Sequence, residues 1–268
     1  MTKQYTTEFY KNRQQLTRAS AEVILGLLFP KIEPSSVIDF GCATGTWLAE
    51  CERLGANSIL GLDGGWVNRE LLEIDSEEFT EHDLGAIKYT PERKYDLSLC
   101  VEVAEHIAKD MLEIFIDSLT EASDIILFSA AVRGQGGTGH VSEQPQHYWA
   151  KQFAMRDYIC VDLIRPKIWE HESVNVIYKQ NMLLYVRKSS CKELGLEANI
   201  ISELFDLDRI HPDLFFMKSI DVDAGRRANL IKGLRFIAKG LGVNPQTSGF
   251  DTWSFLCNKY VVHRWLET

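Results

Sequence analysis

Paired cysteines, long apolar runs and an excess of positive charge are all missing from this 268-residue chain. The six cysteines (Cys42, Cys51, Cys100, Cys160, Cys191 and Cys257) are scattered, with no C-x-x-C spacing. They spell neither a disulfide framework nor a zinc site and read as reduced, mostly core thiols. The longest apolar stretch, near "VILGLLF", falls far short of the roughly 20 residues that span a bilayer. The opening "MTKQYTTEFYKNRQQ" has no apolar signal core. The expectation is therefore a cytoplasmic protein without a membrane partner. Lys and Arg number 29 against 38 Asp and Glu, a formal charge of −9. That balance disfavours nucleic acid as a partner, although a local basic patch survives such a total. Internal repeats and low-complexity tracts are lacking as well.

What is present is the composition of a globular protein, 45% hydrophobic and 25% charged. The length suits one large domain or a domain with an appendage. Residues 7–29 carry helical apolar spacing that Pro30 and Pro34 interrupt. Strand and helix patterns then alternate: "SVIDFG", "GTWLAECERLG" ended by Gly55, "SILGLDG", a short helix "WVNRELLEI", "FTEHDL", "YDLSLCVEV", a helix over "AEHIAKDMLEIFIDSLTEA", and "DIILFSAAV". This rhythm predicts βαβ units around a parallel sheet covered on both faces. A glycine-rich loop follows, "RGQGGTGHVSEQPQ", then a helix "YWAKQFAMR" and two more strands, "DYICVDLI" and "MLLYVRK". Alternation stops near Ser189. The division expected is residues 1–188 as an α/β domain with an N-terminal helix and 189–268 as a helical extension. The extension reads as amphipathic helices in "KELGLEANIISELFDLD" and "AGRRANLIKGLRFIAKGLG". It caps the site, forms a homodimer contact or packs on the sheet.

The stretch "VIDFGCATGTW" runs from a buried strand through a nearly side-chain-free turn into a helix. Such a turn presents backbone N–H groups to a polar or anionic ligand. Asp63 ends the next strand, where a carboxylate fits two adjacent ribose hydroxyls. Asp83 ends the third, where it could accept from an adenine amino group. Asp39 and Asp83 are equally the residues that cap turns and helices. Trp66 either stacks on an adenine or starts a helix in the core.

This series resembles the class I S-adenosylmethionine-dependent methyltransferases over residues 7 to 188, in particular those of polysaccharide and specialised-metabolite pathways. The likeness to those pathways lies in "GHVSEQPQHYW" and the N-terminal "EFYKNRQQLTRASAEVI". It implies a Rossmann-like, mostly parallel seven-stranded sheet with helices on both faces, and a soluble enzyme using S-adenosyl-L-methionine. By that resemblance the cofactor lies against Asp39, Gly41, Ala43 and Gly45. Asp63, Gly64 and Trp66 serve the ribose and base, with Asp83, Leu84, Val101 and Glu102 completing the contacts. Ala43 stands where the family usually has glycine, which is unstrained if its φ is negative. A nicotinamide dehydrogenase shares the first turn, but its fingerprint has glycine where Leu48 stands here.

Two stretches offer chemistry beyond the cofactor. In "EVAEH", Glu102, Glu105 and His106 fall on one face of a helix. With His140 they form a candidate set for a divalent cation, Mg or Mn. The alternative is that they brace the helix and face the cofactor. The motif is similar to that of metal-dependent small-RNA 2′-O-methyltransferases and ubiquinone-pathway O-methyltransferases. In "GTGHVSEQPQHYW", His140 and Glu143 sit on the loop after the fifth strand, and an imidazole there suits a general base. Tyr148 and Trp149 read as wall or core. Tyr5, Phe9, Tyr10 and Arg13 of the N-terminal segment either reach the site or pack. The function expected is O-methylation of a small polar or sugar-like hydroxyl, with His140, Glu143 and His106 as the catalytic candidates. The alternatives are a metal-dependent RNA 2′-O-methyltransferase and a catalytically silent cofactor-binding regulator.

Overall fold

The computed structural model describes residues 7–201 and 203–215. The chain divides into two compact units, Met1–His211 and Pro212–Thr268. Every element named below belongs to the first. In chain order these are α1 (Thr7–Ile32), β1 (Ser36–Phe40), α2 (Thr46–Arg53), β2 (Ser58–Asp63), β3 (Phe79–Glu81), β4 (Leu97–Val101) and α3 (Leu112–Ala122), followed by β5 (Ile125–Ser129), α4 (Gln146–Ala154), β6 (Tyr158–Val161), α5 (Arg165–Ile168), α6 (Val176–Asn181), β7 (Leu183–Arg187) and α7 (Lys188–Cys191). The strands form one seven-stranded sheet in the order β3-β2-β1-β4-β5-β7-β6. The first five pair in parallel, and β7 runs antiparallel to both β5 and β6. Strand order reverses between β1 and β4, so their carboxyl ends open a crevice there, where doubly wound sheets bind ligands.

Both faces of the sheet are covered, and alternate residues of each strand serve opposite cores. Val37, Leu97, Leu99, Leu127, Leu184 and Val186 join the buried side chains of α1 and α2. Ile38, Phe40, Cys100, Ile126, Phe128, Leu183 and Tyr185 join those of α3 and α4. That two-residue period, apolar on both sides, is why these strands read as continuous hydrophobic runs. Residues beyond 188 take part as well: Cys191 and Leu196 enter the first core and Leu207 the second. The five described cysteines are buried and free. Among the described residues no helix is long and apolar enough to cross a membrane.

Four local expectations are corrected. Pro30 lies inside the last turn of α1, which continues to Ile32. Glu33 then takes a left-handed conformation (φ 42°) before Pro34. "WVNRELLEI" forms only a short 3₁₀ turn, Arg69–Leu71. The helix expected from Ala104 starts at Leu112, after a 3₁₀ turn over Ala104–His106. There the carbonyl of Glu105 accepts from the N–H groups of Val141 and Ser142, both at 2.9 Å, which occupies it for loop pairing rather than a helical bond. The stretch "KELGLEANIISELFDLD" is not one helix either. It holds 3₁₀ turns at Glu197–Asn199 and Leu204–Leu207. The second amphipathic segment, residues 224–242, lies outside the described residues.

Phe128 sits among the aromatic rings of the second core, its ring 5.3 Å from those of Trp149 and Phe153 and 5.7 Å from that of Tyr185. Phe128→Ala should lower unfolding free energy by about 3–5 kcal/mol, from lost transfer energy plus the cavity. Urea denaturation measures it, and a loss below about 1 kcal/mol would refute the packing described.

Candidate active site

Asp39, the next-to-last residue of β1, is 2% exposed, and after Phe40 the chain turns through residues 41–45 into α2. The N–H groups of Gly41 and Cys42 both donate to the Leu62 carbonyl, at 2.7 and 3.1 Å, so the turn is stitched to β2. Gly41 and Gly45 have φ of 87° and 83°. A Cβ at Gly41 would lie 2.4 Å from Val103, so glycine is required there twice over, by conformation and by space. Ala43, expected at negative φ, has φ 50°. The left-handed conformation costs an alanine on the order of 1 kcal/mol. Its N–H donates to Asp63 Oδ2 at 2.8 Å, and that charge-assisted bond holds the strained geometry.

Asp63 Oδ1 accepts from Gly64 N at 2.7 Å, so one carboxylate ties the turn after β1 to the turn after β2. Burial pushes the pKa of Asp63 up, against the two backbone N–H groups and Trp66. Burial, then the neighbouring charge of Asp63, raises Asp39 to about 7. Behind the turn, Glu73 accepts from Thr46 Oγ1 at 2.6 Å and pairs with Arg18 of α1. Its N–H donates to the Thr44 carbonyl at 2.8 Å. Trp66 is 56% exposed, which removes the core reading. Its indole covers Gly64 so closely that a Cβ there would lie 2.3 Å from the ring. Asp83 is exposed just past β3, its carboxylate accepting from Gly85 N at 3.0 Å. Leu84 and Val101 are half-buried beside the two cores.

At the end of β4 the acids and histidines separate into two groups. Glu105, His106 and His140 bring one ligand atom each within 4.8 Å of one another. His140 Nε2 lies 3.9 Å from Glu105 Oε1, and the two imidazoles meet edge to face at 4.8 Å. His140 Nδ1 is 2.8 Å from Glu143 Oε1. A carboxylate only accepts, so Nδ1 carries the proton and Nε2 is the basic nitrogen. Burial alone would raise Glu143. The His140 imidazole and the N–H groups of Gly134 and Gly136, at 2.8 and 2.6 Å, outweigh it and hold the carboxyl below its usual range. A Cβ at Gly137 would lie 2.2 Å from His140 Nε2, the close approach that a glycine-rich loop permits. Glu105 is fully buried, and neither of its oxygens has a partner in hydrogen-bond geometry. Burial and then the charge of Glu102 push its pKa well above the usual range.

Glu102 does not join that cluster, so the one-face expectation for Glu102, Glu105 and His106 is corrected. It adopts φ 57° before the 3₁₀ turn, and its carboxylate turns to amides. Gln135 Nε2 donates to Oε2 at 3.1 Å and Asn181 Nδ2 to Oε1 at 3.0 Å. Burial raises the Glu102 carboxyl, opposed by these donors and by Ser129. Asn181 and Gln135, with Gln146 bonded to Asn181 at 3.1 Å, went unnoticed in the sequence. The available signal was three amides in segments otherwise patterned as loop and core. Tyr148 is half-buried and Trp149 fully buried, walls of the second core. Tyr5 and the side chains of Phe9, Tyr10 and Arg13 lie outside the described residues.

Residues 9–123 match the family model described as a methyltransferase domain. The sheet order, with its antiparallel β7, and the acid-flanked turn after β1 agree with that match. Over that stretch the chain is similar to a methyltransferase domain. An O-methyltransferase family protein of Burkholderia thailandensis is similar in structure, with a TM-score of 0.48, 13% identity and coverage of 67% of this chain and 57% of that one. Human N-acetylserotonin methyltransferase, solved with S-adenosylmethionine, gives 0.46, 13%, 68% and 55%. Magnesium protoporphyrin IX methyltransferase of Synechocystis, solved with S-adenosylhomocysteine, gives 0.46, 16%, 70% and 90%. The chain thus spans under three fifths of the length of the first two structures. No curated protein matches the sequence significantly.

Asp39 makes the stability of the fold depend on pH. An unfolded aspartate titrates near 3.9, whereas folded Asp39 holds its proton up to about 7. Between those values the folded state carries the extra proton, so ligand-free stability falls as pH rises from about 4 to about 7. Asp39→Asn should flatten that fall, gaining on the wild type by an amount of order 4 kcal/mol across the window. Urea melts at pH 4.5, 6 and 8 measure it. Parallel curves for the two proteins would contradict the assignment.

Proposed function

We propose that the chain is an S-adenosylmethionine-dependent O-methyltransferase acting on the hydroxyl of a small polar or sugar-like acceptor. The observation that carries this reading is the pairing of two acids, buried Asp39 and half-buried Asp63, at the crevice with the His140–Glu143 dyad on the loop after β5. The chemistry of the donor set fits the cofactor, which bears an ammonium, a sulfonium and a ribose diol. Asp63 keeps lone pairs for the diol beside its two backbone bonds, and Asp39 offers negative charge where the cation would lie. Trp66, exposed over Gly64, provides a flat face for the base. The cofactor supplies an activated methyl group on a sulfonium.

A direct displacement needs alignment first, and the rigid turn from Gly41 to Gly45 serves that. A hydroxyl acceptor also needs its proton removed. Glu143 fixes the imidazole so that His140 Nε2 takes that proton, and the imidazolium formed is then paired with Glu143. The surroundings of His140 are acidic rather than basic, with Glu102, Glu105 and Glu143 standing near it, which favours a neutral, hydroxyl-bearing small molecule over RNA. The overall charge of −9 acts in the same direction.

A second reading is favoured by one observation, the orphaned carboxylate of Glu105 beside two imidazoles. Glu105, His106 and His140 fit a divalent cation, with Glu143 orienting His140 from behind. Such a cation would act as a Lewis acid on the acceptor oxygen. Turnover of the cofactor against sugars, small phenols and RNA tests the acceptor class. Under the base reading His140→Ala lowers turnover by about 10²–10⁴-fold, and chelators leave the wild type unaffected. Under the metal reading chelation abolishes turnover, Mg²⁺ or Mn²⁺ restores it, and Glu105→Ala is equally damaging. Full activity of His140→Ala with and without chelator would contradict both.

A further inference from the structure

Four polar side chains are locked together at the carboxyl edge of the sheet, and three of them are nearly inaccessible. Gln135 is 5% exposed, and Gln146 and Asn181 are fully buried. They come from separate places: Glu102 from the end of β4, Gln135 from the glycine-rich loop, Gln146 from the first turn of α4, and Asn181 from the last residue of α6. Both hydrogens of Asn181 Nδ2 are used, one on Glu102 Oε1 at 3.0 Å and one on Gln135 Oε1 at 2.9 Å. Gln135 Nε2 donates to the other carboxylate oxygen, Oε2, at 3.1 Å. Gln146 Nε2 supplies Asn181 Oδ1 at 3.1 Å, and Val132 N donates to Gln135 Oε1 at 3.3 Å. Glu102 is in turn held at its backbone, where its N–H donates to Ser129 Oγ at 3.1 Å and to the Ser129 carbonyl at 2.9 Å.

Withdrawing a half-buried carboxylate and three buried carboxamides from water is destabilising unless the groups find partners, and here Gln146 Oε1 alone of their oxygens is left without one, so apolar packing would be the cheaper solution for the core alone. The network satisfies both carboxylate oxygens of Glu102 and fixes one conformation of the loop. That loop carries His140 five residues after Gln135 and Glu143 eight after it. We infer that Asn181 and Gln135 are positioning residues: they latch the loop bearing the His140–Glu143 dyad onto Glu102 and so set where the base stands. The inference rests on the reading of His140 as a functional group in the proposed reaction. The latch itself is a statement about the loop.

Hydrogen exchange by mass spectrometry on the full, ligand-free chain separates these. Asn181→Asp keeps the shape and the acceptor for Gln146 but removes both donors and sets an acid against Glu102. It should raise exchange over residues 132–143 about tenfold or more. The double variant Glu102→Gln/Asn181→Asp restores the bond between 102 and 181 with the amide now on residue 102, but leaves the oxygens of Gln135 and of the new acid at 181 facing each other, so exchange should fall part of the way back towards wild type. Tyr158→Phe, which loses the buried bonds of Tyr158 Oη to the Thr120 and Ser123 carbonyls elsewhere in the fold, should leave those residues unchanged. If Asn181→Asp does not fold, Gln135→Met is measured in the same way with the same expectation. Unchanged exchange over 132–143, an increase spread equally over β6 and β7, or no recovery in the double variant would overturn the latch. S-adenosylmethionine titrated into the wild type is read alongside. Failure to bind would remove the proposed function and leave the exchange result standing.

Discussion

One carboxylate joins the two halves of the edge at the crevice. Asp63, at the end of β2, accepts from the N–H of Ala43 in the turn after β1 and from its own neighbour Gly64. It works beside the Leu62 carbonyl, the Glu73 N–H and the start of α2 to hold three left-handed positions at alternate residues, Gly41, Ala43 and Gly45. One of those is an alanine, strained on its own and held by a bond to a charged acceptor. The same turn is braced from behind by Glu73, through Thr46 and the Arg18 ion pair, so α1 is fixed to the turn as well as to α2. The geometry of the crevice thus follows from a few charge-assisted bonds made at the carboxyl edge of the sheet.

A common electrostatic theme runs along that edge. Asp39, Asp63, Glu102 and Glu105 all have pKa values raised by burial before anything else. Four desolvated acids within one crevice are tolerated for different reasons. Asp63 is compensated by N–H groups and Glu102 by amides, Asp39 holds its proton to about neutral pH, and Glu105 holds its own well above the ordinary range. Acids arranged in this way favour a cationic ligand, which would repay the burial of charge that the empty fold resists. A positively charged, ribose-bearing cofactor has the matching chemistry.

Much of the fold was legible because both signals that carry it are local. The period-two burial of β1, β4, β5 and β7 and the helical spacing of α1, α2 and α4 are printed in neighbouring residues. The strand-end acids Asp39 and Asp63 could be located by their place after such runs. What escaped the sequence depends on distant contacts. The helix expected at Ala104 fails because the Glu105 carbonyl is claimed by Val141 and Ser142, far along the chain. Ala43 accepts a left-handed φ because Asp63 rewards it from another strand. Glu102 leaves its presumed partners Glu105 and His106 because Gln135 and Asn181 bind it from two further segments. Asparagine and glutamine carry no charge pattern or spacing that would announce such a network.

The central claim is that the acid-bridged turn binds S-adenosylmethionine, and calorimetric titration of that compound into the wild type and into Asp63→Ala at neutral pH tests it most directly. The account predicts saturable one-to-one binding to the wild type. It also predicts a loss of about 2–4 kcal/mol in a variant whose circular dichroism shows it folded, from two charge-assisted ribose bonds removed. Equal affinity in the two proteins, or no binding to the wild type, would contradict it.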